Sequence, residues 1–164
     1  MFREGEYVMY SGEGLCRIET IGIPEFQPGK RIYYFLRKAG DNSRIYVPTD
    51  TTQPMRKPLT AEEAARFLEE LATLRIDIPK RIDSKKRLPV IRETVRVQTA
   101  EAMAKTIRMI RALHPDGKIP AEEKMILTRT EKRLCEEMAY ALQISEEDAE
   151  AKVRSAVKTV AVQE

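Results

Sequence analysis

The spacing of apolar residues changes once along the chain, near residue 58. Before that point the pattern is short and strand-like. Glu6-Tyr7-Val8-Met9-Tyr10 is a β-prone run closed by Ser11-Gly12-Glu13-Gly14, a turn by composition. Leu15-Cys16-Arg17-Ile18-Glu19-Thr20-Ile21 alternates apolar and polar positions, as a strand with one buried face does. Pro24 to Gly29 punctuate the chain. Lys30-Arg31-Ile32-Tyr33-Tyr34-Phe35-Leu36 carries the densest aromatic and β-branched content and predicts the strongest strand. Gly40-Asp41-Asn42-Ser43 predicts a turn. Arg44-Ile45-Tyr46-Val47-Pro48 predicts a strand whose proline suits an end or an edge. Roughly four or five such strands with tight turns favour a small curled sheet or SH3-like barrel.

From Thr60 onward the period is helical. Thr60 with Glu63 forms a capping box, and Ala64, Phe67, Leu68, Leu71 and Leu74 then share one face. Pro79 and Pro89 interrupt the next stretch. A second helix is predicted from near Val90, with a possible break, through Ala104, Ile107, Ile110 and Leu113. His114-Pro115-Asp116-Gly117 is a stop and turn. Pro120 fits the first turn of the next helix, with Met125, Ile126, Leu134, Met138 and Leu142 as its apolar positions. Ser145 is the N-cap of a last helix, with Glu146, Glu147 and Asp148 where the dipole favours acids. That helix buries Ala149, Val153 and Val157. The fold class is therefore α+β: a small β module over residues 1–58, then an all-α helical domain over 59–164.

Charge sharpens this picture. Residues 75–115 carry 11 basic and 4 acidic side chains, and residues 116–164 carry 8 basic and 11 acidic. A net charge of +3 thus hides a basic middle and an acidic end. The basic part centres on Lys80-Arg81-Ile82-Asp83-Ser84-Lys85-Lys86-Arg87, with Arg92 and Arg96 following at helical spacing. Such a stretch either neutralises phosphates or forms a solvated, salt-bridged surface.

Candidate chemistry adds little. Cys16 and Cys135 stand apart and read as reduced thiols. His114 is the only histidine, so neither a zinc motif nor a catalytic Ser-His or Cys-His pairing arises. Glu62, Glu63, Glu69 and Glu70 lie on the wet face of an amphipathic helix. Gly12 and Gly14 lack the pattern of a phosphate-binding loop. Tyr33, Tyr34 and Phe35 suit a sheet core better than base stacking. The expectation is a protein without cofactor, metal or small-molecule substrate, and not an enzyme. No run of about 18 apolar residues predicts a membrane span, and the N-terminus has no secretion signal, so a cytoplasmic location is expected.

An ordered set of segments resembles the CarD family of bacterial transcription regulators. Gly5-Glu6-Tyr7-Val8-Met9-Tyr10, Gly12-Glu13-Gly14, Tyr33-Tyr34-Phe35-Leu36 and Arg44-Ile45-Tyr46-Val47-Pro48 are similar to its N-terminal module. Ile119-Pro120-Ala121-Glu122-Glu123-Lys124-Met125-Ile126-Leu127 and Ala139-Tyr140-Ala141-Leu142 are similar to its helical part. The resemblance implies a Tudor-like barrel, akin to the polymerase-interacting domain of the transcription-repair coupling factor. It implies docking on the RNA polymerase β subunit through the run matched by Arg44, Ile45, Tyr46 and Val47. Tyr46 falls where the family often has an arginine. The resemblance also implies promoter DNA contact by the helical part, where a tryptophan wedges into the minor groove. Carried back without a gap from Glu123-Lys124, it puts Ser84 at the wedge position and Lys85, Lys86 and Arg87 on the basic positions after it, with Arg92 nearby. The chain has no tryptophan. Two readings stay open: a regulator bridging polymerase and promoter DNA to modulate open-complex stability, or a protein adaptor without DNA contact, or in competition with a tryptophan-bearing paralogue.

Overall fold

Five antiparallel strands build the first part of the chain: β1 (Tyr7–Tyr10), β2 (Gly14–Gly22), β3 (Tyr33–Lys38), β4 (Arg44–Pro48) and β5 (Met55–Arg56). Their order in the sheet is β4-β3-β2-β1-β5. The computed structural model describes residues 1–27, 29–73 and 83–158. Leu74, Pro79 and the Lys80-Arg81 start of the basic stretch lie outside them. The chain divides into two compact units, Met1–Pro58 and Leu59–Glu164.

The first unit follows its alternation. Val8, Cys16, Ile18, Tyr34, Leu36 and Val47 all point to one side of the sheet and form its core. Burying side chains of this size contributes about 1.5–3 kcal/mol each before chain entropy is counted. The β1–β2 hairpin turns tightly: Glu13 N–H donates to the Tyr10 carbonyl at 3.0 Å. Gly12 sits at φ +82°, where a side chain would be strained. The sheet curls but stays open, a half-barrel with β4 and β5 as its edges. Curling has a local cause in β2. Pairing with β3 steps from Ile18↔Leu36 to Thr20↔Phe35, so Glu19 is an inserted bulge residue, and bulges increase local twist.

β3 starts at Tyr33, later than the predicted Lys30, and runs on to Lys38. Upstream, Arg31 turns aside to Asp50 at 3.0 Å. The Ile32 carbonyl accepts from Thr49 N–H at 3.0 Å. The short β5 left no mark in the pattern.

The second unit contains α1 (Ala61–Thr73), α2 (Ser84–Arg96), α3 (Ala100–Leu113), α4 (Ala121–Leu142) and α5 (Glu146–Lys158). Its caps are largely those the residues predict. Thr60 N–H donates to Glu63 Oε2 at 2.9 Å, and Glu63 N–H to Thr60 Oγ1 at 3.2 Å. Asp148 N–H donates to Ser145 Oγ at 3.0 Å. α3 is the central helix, packed against α2, α4 and α5, while α1 packs against α4 and α5. Met103, Ile107 and Ile110 of α3 are fully or almost fully buried.

Two expectations change here. α2 begins at Ser84, not near Val90, and Pro89 lies inside it. Asp83 caps the start by accepting from Lys85 N–H at 3.2 Å. Proline at the sixth helical position gives up the bond that its own N–H would make to the Lys85 carbonyl and crowds that carbonyl with its ring, yet the helix continues to Arg96. The chain breaks instead at Gln98, which takes φ +58°, and Thr99 caps α3. Met125 is 53% exposed and does not join the core. The inward stripe of α4 includes Glu123, Leu127, Thr130, Leu134, Glu137 and Met138.

Candidate docking surface and basic helix

β4 pairs only with β3 among the described residues, so its other edge is open. Along it, Ile45 and Val47 face the core, and alternation turns Arg44 and Tyr46 to the outer face. The four residues expected to meet a partner are therefore one edge strand. Val47 is buried and has only backbone to offer.

The outer face has two neighbouring clusters. Arg44 lies opposite Arg37, a pairing that repels by itself. The bulge residue Glu19 resolves it. Arg37 Nε donates to Glu19 Oε1 at 2.9 Å, and Arg44 Nε lies 3.3 Å from Glu19 Oε2. The hydrogen bond from Arg37 holds the Glu19 carboxyl below its usual range. The guanidinium of Arg44 is raised, first by its contact with Tyr46 and then by Glu19. Beside this cluster Tyr46 stands opposite Phe35. The Phe35 and Tyr46 rings meet edge to face at 4.9 Å, and Phe26 packs on Tyr46 at 4.8 Å. Phe26 is 63% exposed, and Ile23 and Ile32 on the same β2–β3 connection are 52% and 47% exposed. Phe26 and Glu19 were not among the expected site residues. Strand alternation, with Tyr34 and Leu36 inward, is the signal that puts Phe35 outside.

In the second unit, α2 presents a basic start. Lys85 and Lys86 are exposed and have no ion-pair partner among the described residues. Helical spacing puts Lys85, Arg92 and Arg96 on one outward face, turned away from the fully buried Ile91. Ser84 is the first residue of the helix. Arg92 forms an exposed ion pair with Glu122 of α4. Arg87 points the other way. Its Nε donates to Glu123 Oε1 at 2.6 Å, with side chains only 17% and 4% exposed. The second oxygen of Glu123 meets His114 Nε2 at 2.5 Å. The expected phosphate contacts are thus not equivalent: Lys85 and Lys86 face solvent, while Arg87 serves a buried carboxylate.

A cleft of about 250 Å³ lies between α3, α4 and α5, with Ile107, Val153 and Val157 as its apolar wall and Cys135 within it. Cys16 and Cys135 are both free. Burial, then the carboxylates of Glu150 and Glu131, push the Cys135 thiol up to about 11. About a hundredfold less thiolate then exists at neutral pH than for an ordinary cysteine, so alkylation is expected to be at least about tenfold slower in the folded than in the unfolded chain. Iodoacetamide labelling followed by mass spectrometry measures this. Equal rates would show a thiol in contact with bulk water. No group of His, Cys, Asp or Glu among the described residues is placed to hold a metal ion. No described helix is long and apolar enough to cross a membrane.

Residues 2–59 match the family model of the CarD-like/TRCF RID domain. No curated protein matches the chain. The first unit is a CarD-like polymerase-interacting module, which gives the chain a transcription-associated role in binding RNA polymerase.

Proposed function

We propose that this chain is a non-catalytic cytoplasmic regulator that docks on the RNA polymerase β subunit and contacts upstream promoter DNA. Docking uses the β4 edge, Arg44, Ile45, Tyr46 and Val47, with strand addition as the physical mode. The observation that carries this reading is the family match over residues 2–59, together with the open edge of β4. Lys85 and Lys86 hold DNA phosphates, assisted by Arg92 and Arg96 on the outward face of α2. Ser84 stands at the start of that helix and the chain has no tryptophan. The contact therefore positions duplex without prising bases apart, and so modulates open-complex stability by holding upstream DNA.

Binding of fork-junction DNA by the polymerase–regulator complex is expected to weaken steeply with salt. Lys85→Glu with Lys86→Glu should remove most of the regulator's contribution and lower the slope of log K against log salt by about 2. Arg87 is left intact because its loss would disturb Glu123. A specific observation favours a second reading: Arg87 and Arg92 already have carboxylate partners. If the double variant leaves DNA affinity and salt slope unchanged, the chain is a polymerase-bound protein adaptor without DNA contact.

A further inference from the structure

We infer that the outer face of the sheet binds single-stranded nucleic acid, with phosphates along a row of arginines and bases on the neighbouring aromatic rings. The inference goes beyond the polymerase and duplex contacts proposed above. It uses neither the backbone edge of β4 nor α2.

The register of the sheet makes the row. Tyr7 lies opposite Arg17, Arg17 opposite Arg37, and Arg37 opposite Arg44. One line of side chains therefore crosses β1, β2, β3 and β4. Their sequence neighbours Val8, Cys16, Ile18, Leu36 and Ile45 pack in the core, and alternation puts the row on the outer face. Neighbouring strands are about 4.8 Å apart, so three arginines fall within about 10 Å. Like charges directly opposite one another destabilise a sheet. Glu19 offsets part of this by meeting Arg37 and Arg44. Arg17 is exposed and makes no ion pair among the described residues. The row thus keeps a surplus of positive charge at a cost to the fold that carries it. Functional sites are where a fold breaks its local rules.

Rings lie one step along the same strands. Phe35 is two residues from Arg37, and Tyr46 two from Arg44, about 7 Å away on the same face. Phe35 and Phe26 both pack edge to face on Tyr46, and Phe26 is 63% exposed. Arg44 hydrogen-bonds Tyr46, so the basic row and the rings form one surface. This pairing selects the ligand. An acidic peptide would answer the arginines and leave the rings unused. A duplex would do the same, because its bases are stacked on each other. A single strand offers both a phosphate chain and free base faces, and a sheet face bearing cations and aromatic residues is a platform for it.

The test is fluorescence anisotropy of labelled thymidylate and uridylate oligomers of about 12 nucleotides. The protein is the full chain carrying Lys85→Glu and Lys86→Glu, which removes the basic start of α2 as a second site. Binding is expected at about 50 mM salt and should weaken as salt rises. Adding Arg17→Ala should weaken it about threefold or more and lower the slope of log K against log salt by about 0.7, the value of one phosphate on a single strand. Adding Phe26→Ala, on an exposed loop, should weaken it about fivefold or more with the slope unchanged. Thermal unfolding should find Arg17→Ala at least as stable as its parent, since a like-charge contact is relieved, so lost binding is not lost folding. Binding of one oligomer alone supports the inference and identifies the preferred sugar. Affinity indifferent to Arg17→Ala or to Phe26→Ala overturns it. So does absence of oligomer binding, and capture of an oligo-glutamate peptide through Arg17 in that case would make the row a protein contact.

Discussion

Arg108→Ala is expected to lower the stability of the helical unit by about 3 kcal/mol or more. Arg108 lies mid-way along α3 and is 5% exposed. Its guanidinium donates to the Leu71 carbonyl of α1 and, at 3.3 Å, to the Ala156 carbonyl of α5. One side chain therefore ties α1, α3 and α5 together from inside the bundle. Burial pushes its pKa down, which expresses the desolvation cost that these bonds offset. Hydrogen bonds to charged groups are worth about 1.5–3 kcal/mol each, and alanine adds a cavity on the scale of a long side chain. Arg108→Met separates the contributions, because it keeps the stem and removes the charge. Urea unfolding is expected to rank the parent first, then the methionine variant, then alanine. A methionine variant as stable as the parent would show that desolvation cancels the hydrogen bonds, as happens for some buried charges.

Arg108 also shows where pattern reading stops. Local signals were legible because their partners lie within a few residues: the Thr60–Glu63 box, the Ser145 cap and the alternation of β2 and β4. Long-range polar partners left no such trace. Along α4, Glu123, Thr130 and Glu137 recur every seven residues on the inward stripe and are buried. Each is satisfied by a different route. Glu123 meets Arg87 and His114. Thr130 Oγ1 donates to the Ile126 carbonyl at 2.7 Å. Glu137 Oε1 accepts from Leu59 N–H at 3.0 Å. Apolar spacing counts these as outward positions and moves Met125 into the core in their place. The α2 boundary slipped for a related reason: Pro89 reads as a breaker, while the cap at Asp83 decides the start. At the docking face, the strand itself was legible. The role of Glu19 was not, because it depends on a bulge in β2 and on the register of three strands. Arg87 looked like its lysine neighbours because its carboxylate partner is 36 residues away.

Glu123→Ala is expected to cost about 3–5 kcal/mol, the usual penalty for removing one member of a buried ion pair. Glu123 is in the first turn of α4. It takes Arg87 from α2 on one oxygen and His114, the C-cap of α3, on the other. Three elements are joined at a single carboxylate. α2 depends on this joint more than its neighbours do. Ile91 is its one fully buried apolar residue, and Pro89 gives up a hydrogen bond. Without Glu123 the Arg87 guanidinium must either stay buried unpaired or swing out and pull α2 from the bundle. Amide hydrogen exchange should then rise first in residues 84–96, ahead of α3 and α4. Glu123→Gln keeps an acceptor for Arg87 and should cost less, about 1–2 kcal/mol. The pair Arg87→Ala with Glu123→Ala should cost less than the sum of the single changes by at least about 1 kcal/mol, which a double-mutant cycle measures. Additive losses would separate the two residues energetically, whatever their distance. The functional consequence comes from position: Lys85 and Lys86 are intact in Glu123→Ala, yet DNA contact by the polymerase-bound chain should weaken, because the helix that aims them is no longer fixed.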